Sequence, residues 1–262
     1  MKAFVPSVED SPSLRLLPLL LSLIAGSVDV IGFLWHGTFV AHITGNLILV
    51  AARVVAGAPV GLAAILAVPV FVVMLGLTNS AAVRLESAGT PSLRPLLAVQ
   101  FVFLAGFFAV GIVAGTHGSA GSPAAVIALM LGVCGLATQN ALVQASVRGA
   151  PSTAAMTTNL TRFIHDLSQM LFGKDRGSAG TSRTRAARTW PAIAGFAGGA
   201  AAGAALYAAV GIESLALPLG MALAAVGLPG RLHTYHSPEP HINARSVSVS
   251  VDEDGEEHAP NT

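Results

Sequence analysis

From Pro95 to Val147 the chain carries no Asp, Glu, Lys or Arg, and that absence limits the folds open to it more than any other feature. An α-helix rises about 1.5 Å per residue and needs roughly 20 apolar residues to cross about 30 Å of hydrocarbon. The run is long enough for two crossings, joined by the Gly- and Ser-rich stretch 115–123, which cannot continue a helix in lipid. Stretches 30–52, 54–83 and 190–212 are free of charge as well. A soluble globule could bury such helices only behind a polar shell, and the chain has none. Charged residues make up 10% of it, against about 25% in an ordinary soluble domain, and the mean hydropathy is +0.69. The composition therefore predicts an all-α, polytopic helical protein whose first partner is the lipid bilayer.

The same composition excludes several functions. Net charge is +1, so no basic field recruits nucleic acid. The single cysteine, Cys134, lies in an apolar run, which excludes an internal disulfide and reads as a small core residue. No phosphate-binding Gly-Lys-Ser/Thr motif, serine nucleophile elbow or HExxH pair is present. The chain is therefore not expected to be an enzyme, and no cofactor or metal site is expected.

Eight apolar segments follow one another at 16–35, 38–56, 60–83, 96–114, 124–147, 152–172, 190–210 and 215–228. Residues 1–13 are polar and include Glu9 and Asp10, which suits a retained, disordered cytoplasmic end better than a cleaved signal peptide. Residues 173–189 read as a basic loop, and residues 231–262 as a disordered acidic tail.

One polar stretch recurs. Phe39-Val40-Ala41-His42-Ile43-Thr44-Gly45-Asn46-Leu47 returns, altered, as Ser152-Thr153-Ala154-Ala155-Met156-Thr157-Thr158-Asn159-Leu160, with Thr44 matching Thr157 and Asn46 matching Asn159. The chain thus reads as an internal duplication of two membrane repeats, 14–116 and 117–230. If all eight segments cross, Arg84, Arg94 and Arg148 lie outside; if the two motif segments dip in and return, only Arg53 does. The positive-inside rule favours the second arrangement, six spans plus two re-entrant helices with both termini cytoplasmic. It makes the halves an inverted repeat, an architecture that places binding sites at the midplane. Against it, segment 38–56 is long and apolar enough to cross in full.

Asp29 is the most informative single residue, because a carboxylate within a span costs at least a few kcal/mol unless paired, protonated or hydrated. It lines a pathway, or it is a structural partner of Arg53 or Arg162. At 100° per residue Thr38, His42, Asn46 and Arg53 fall on one helical stripe, which must turn away from lipid. Gly45 permits a helix break there, exposing backbone groups to a ligand. Gln139 and Asn140 precede the second motif much as Asp29 precedes the first. Arg162 and Asp166, spaced i, i+4, form a candidate structural ion pair. Gly195, Gly199 and Gly203 form a ladder of small residues suited to close helix packing.

The ordered set Ala25-Gly26-Ser27-Val28-Asp29, Phe39 to Asn46, Gln139-Asn140-Ala141, Met156 to Thr161 and Asp166-Leu167 resembles the YoaK-like family of bacterial integral membrane proteins, over roughly residues 16–228. That family typically has glycine within Thr-Gly-Asn in both halves; here the second copy has Thr158. The resemblance implies a multi-span protein of the inner membrane and carries no activity, the family's own function being unknown.

Two readings of function follow. The first is a small-solute transporter or permease, open to proton coupling, with Asp29, His42, Thr44, Asn46, Gln139, Asn140, Thr157 and Asn159 lining a midplane site. The second is a non-transporting scaffold or sensor that uses its tails and the basic 173–189 stretch to contact partners or anionic lipid. A homo-oligomer is compatible with both.

Overall fold

The computed structural model describes residues 12–117, 121–146, 156–172 and 176–228. Its helices are α1 (Pro12–His36), α2 (Ile43–Val55), α3 (Leu62–Ser87), α4 (Leu93–His117), α5 (Pro123–Ser146), α6 (Met156–Phe172), α7 (Arg176–Val210) and α8 (Ala216–Gly227), with a 3₁₀ turn, Gly211–Leu215, before α8. No strand occurs among the described residues. Among the described residues five stretches are long and apolar enough to cross a membrane: Leu16–His36, Leu62–Ser87, Leu93–Gly115, Pro123–Ala145 and Gly180–Gly227. The outer face of α3 exposes Val72, Val73 and Leu77, a surface that matches acyl chains and not water.

Glycine sets the helix ends. α2 closes with Gly57 at φ 62°, with Ala58 N–H donating to Arg53 O at 2.9 Å and Gly57 N–H to Val54 O at 3.2 Å. α3 closes the same way on Gly89 at φ 75°, with Thr90 N–H donating to Leu85 O at 2.9 Å. Both are Schellman ends, which satisfy the last carbonyls and need a left-handed residue.

Helix directions follow from the side chains that meet. Gly195, Gly199 and Gly203 lie beside Leu19, Leu23 and Ser27, so α7 runs parallel to α1. Gln139 reaches Leu21 O while Leu129 lies beside Gly32, so α5 runs antiparallel to α1. Gln100 meets Gln139 and Leu131 meets Gly106, so α4 is antiparallel to α5 and parallel to α1. With α3 turned back on α4 by a short connection, α1 and α3 point in opposite directions. The chain between them therefore starts and finishes at one end of the bundle. Direct contacts agree: a Cβ on Gly37 would meet the Arg53 guanidinium at 2.7 Å, and one on Gly61 would lie 4.0 Å from it. Since α7 parallels α1 and opposes α5, the end of α5 and the start of α7 also lie at one end of the bundle.

The two halves interleave. α1 packs chiefly on α7, and α5 lies between α4, its larger contact, and α3, while α8 lies on α4 and α1; the short helices ride on α3 (α2) and α7 (α6). The closest approach is along the α7 glycines: a Cβ on Gly199 would sit 2.2 Å from Leu23 O, and one on Gly195 2.8 Å from Leu19 O. Only hydrogen side chains permit such contact between backbones.

Three expectations are corrected. Segment 38–56 is not one helix: α2 begins at Ile43, and residues 37–42 are irregular. Thr38 and His42 consequently share no helical stripe with Asn46 and Arg53. The basic stretch 173–189 is helical from Arg176 onward, because burial of Ser182, Ala186 and Ala192 gives this polar sequence a packing face that its composition hides. Gly45 does not break a helix; it lies in the first turn of α2. Of the disordered ends expected at 1–13 and 231–262, residues 1–11 and 231–262 lie outside the described residues, as do residues 152–155 of the second motif and residues 173–175, whereas Pro12 and Ser13 open α1.

Candidate functional site

The chain leaves α1 through Gly37, whose φ of 61° is a left-handed conformation that costs an ordinary residue about 1–2 kcal/mol. It then runs back along the helix it has just left. Phe39 stacks on Phe33 with ring centroids 4.6 Å apart, and Val40 packs against Gly32 and Gly132. A returning irregular segment presents backbone N–H and C=O groups to an apolar interior, where each unpaired group costs about 1–3 kcal/mol. Two buried side chains from either side of it meet that demand.

Asp29, on α1, is one. Its Oδ1 accepts from Val40 N–H at 2.8 Å, Ala41 N–H at 2.7 Å and His42 N–H at 3.3 Å, and its Oδ2 lies 2.6 Å from His42 Nδ1. Asn46, on α2, is the other. Its Oδ1 accepts from Phe39 N–H at 2.9 Å and its Nδ2 donates to Phe39 O at 2.7 Å, pairing with one residue as a neighbouring strand would. Gly45 completes the knot, since a Cβ there would meet the Phe39 ring at 2.9 Å. Thr-Gly-Asn thus reads as a receiving surface for Phe39: glycine for the ring, asparagine for the backbone.

The polar partner of Asp29 is accordingly a loop and a histidine, and neither Arg53 nor Arg162. The His42 side chain keeps 32% of its surface exposed against 6% for Asp29. Its ring meets Phe39 at 6.2 Å and Phe196 of α7 at 5.2 Å between centroids. Thr44 is exposed on α2.

A second polar group lies in the core. Gln100 Nε2 donates to Gln139 Oε1 at 2.8 Å, and Gln139 Nε2 donates to Leu21 O at 2.9 Å, joining α4, α5 and α1. Asn140, next to it, donates to Leu136 O at 2.9 Å. Gln100 was missed in the sequence although a signal existed: it is the one strongly polar side chain in 96–114.

The second motif is built differently. Asn159 is buried and Thr157 exposed, and Asn159 Nδ2 lies 3.9 Å from Met156 Sδ. The expected Arg162–Asp166 pair does not form. Asp166 Oδ1 instead accepts from Arg185 Nη2 at 2.6 Å and Nε at 2.9 Å, and Ser182 accepts from the same guanidinium at 3.2 Å. Arg162 is turned outward on α6. Asp166 faces α7, and Arg185 on that neighbouring helix reaches one carboxylate oxygen with two guanidinium nitrogens. Gly195 lies level with Leu19, so the start of α7 runs past Pro12, by roughly 18 Å at 1.5 Å per residue. Arg185 and its α6 partner belong to that projecting part. The two stretches are thus not brought face to face: α2 rides on α3 near the Asp29 knot, and α6 rides on the start of α7.

No cluster of three or more His, Cys, Asp or Glu side chains suited to a metal occurs among the described residues. Crossing-length apolar helices around a buried polar interior define the class, a helical protein of membrane character. Within it, the chain belongs to DUF1275, a protein family of unknown function, whose family model matches residues 17–228. No curated protein and no solved structure matches the chain.

Proposed function

We propose that the chain is a small-solute transporter or permease of the bacterial inner membrane, of YoaK-like type, with six crossing segments (α1, α3, α4, α5, α7 and the 3₁₀ turn with α8). In this reading residues 37–55 form a re-entrant element and both termini are cytoplasmic. One observation carries it: an irregular backbone segment held within a membrane-type bundle by Asp29 and Asn46. Non-helical backbone at membrane depth is tolerated where it is enclosed by protein or lines a water-filled cavity, and transporters use such broken elements at their binding sites. The swapped pairing, α1 with α7 and α5 with α3, supports an inverted internal duplication, and the helix directions support six crossings over eight. The site we assign centres on His42 and Thr44, with Asp29 and Asn46 holding the loop. Gln139, Asn140 and Gln100 supply polar groups deeper in the bundle. Thr157 and Asn159 belong to a second element at the cytoplasmic end.

Uptake of a broad metabolite mixture, compared between proteoliposomes with and without the protein, tests the activity. Single cysteines introduced after Cys134→Ser test the topology: positions 37 and 61 label from one face and position 89 from the other. Loss of any protein-dependent uptake, with positions 38–46 staying dry throughout, favours the scaffold reading instead.

A further inference from the structure

We propose that His42 Nε2 is the solute-contacting atom of this site, that Asp29 is the positioning residue that fixes its tautomer, and that the preferred solute class is a small alkylammonium ion; this rests on the transporter reading. Asp29 Oδ1 is occupied by three backbone N–H groups, which leaves Oδ2 to face His42 Nδ1 at 2.6 Å. A carboxylate oxygen at that distance accepts, so in the neutral imidazole the single ring proton sits on Nδ1 and Nε2 keeps its lone pair. Among the described residues Nε2 has no partner. Thr38 and Asn46 are buried and bonded within the loop, whereas the imidazole is the half-open member of the knot.

The surroundings choose the guest. A neutral imidazole backed by a carboxylate carries one negative charge and offers an acceptor, so it is matched by a cation with an N–H to donate. Phe39 and Phe196 both meet the ring in edge geometry, apolar and aromatic neighbours that suit a cation with a short alkyl group. The nearest basic side chain along α2, Arg53, lies beside Gly37 at the open end of the excursion, where it does not occupy the acceptor.

The test uses the full chain in nanodiscs, labelled with ¹⁵N-histidine, with His42 assigned by difference from His42→Gln. That variant leaves the Asp29–backbone bonds in place. Recorded at a pH above the titration of the ring, the expected spectrum shows a protonated Nδ1 and a bare Nε2. Methylammonium moves the Nε2 resonance saturably, and tetramethylammonium, which has no N–H, does not. His42→Gln weakens methylammonium binding by about tenfold or more, as loss of one charge-assisted hydrogen bond requires. Asp29→Asn, where it folds, gives a mixed tautomer population. A protonated Nε2 in the wild type, or equal response to both cations, overturns the inference. Saturable methylammonium binding without any protein-dependent uptake removes the transporter reading and leaves the site; uptake of other solutes with His42 silent does the reverse.

Discussion

Gly199→Ala and Gly198→Ala, one residue apart on α7, are expected to change stability in opposite directions. A Cβ at position 199 would lie 2.2 Å from Leu23 O and 2.8 Å from Leu23 C and Cα, whereas one at 198 meets Leu23 Cδ2 at an ordinary 3.8 Å. The first clash is backbone on backbone, and no rotamer relieves it. Restoring a tolerable 3.4 Å from 2.2 Å moves α1 and α7 apart by about 1 Å, and a gap of 0.5–1 Å forfeits roughly a quarter to a half of each dispersion contact across it. Overpacking of this kind costs about 1–3 kcal/mol, and a backbone clash belongs at the upper end. Alanine returns about 1 kcal/mol through helix propensity at either position. The net expectation is a loss of about 2 kcal/mol at 199 and a gain of up to about 1 kcal/mol at 198. Denaturant unfolding in mixed micelles, followed through labelling of Cys134, the single thiol, measures both. Equal stability of the two variants, or a more stable Gly199→Ala, refutes the close α1–α7 contact.

Asn46→Ala removes both bonds to Phe39 inside a fully buried site and should cost about 2–4 kcal/mol, with hydrogen exchange accelerated at the Phe39 amide before the global transition. Gly37→Ala forces a side chain into φ 61° beside Arg53; a loss of about 1–2 kcal/mol is expected, against no loss for Gly76→Ala, which meets nothing within 4 Å. Arg185→Ala should loosen α6, read as faster proteolysis near residue 172, while Arg162→Ala leaves the cleavage rate unchanged; the opposite ranking would restore the pairing within α6.

Helix existence was written in the chain, because uncharged runs such as 96–114 and 60–83 admit no other element. The ends of α1, α3, α4 and α5 came out within a few residues for the same reason, whereas α7 begins at Arg176, well before the expected 190. What periodicity could not reveal was residues 37–42: their apolar composition continues that of α2, and the departure from helix is imposed by Asp29, about two turns upstream of Gly37. Asp29 and Asn46 stood out as polar groups where polarity is costly. Their use in tying one loop was hidden because hydrogen-bond partners on the backbone leave no residue signature. The Asp166 partner was missed because Arg185 sits in a stretch whose serines and arginines look like a loop until Ser182 and Ala186 are seen buried. Charge order along a chain suggests local partners, and the true one came from a different helix.

The interleaved pairing has a consequence for biosynthesis. When α1 enters the membrane its glycine-matched groove has no occupant, and the helix that fills it, α7, is among the last to leave the ribosome. Until then the nascent chain must shelter an open seam in lipid or against an insertase. The amino-terminal half is not expected to mature when expressed alone. Co-expressed fragments divided within 115–123 should recover only by finding each other, so assembly is a matter of two late partners closing on early ones.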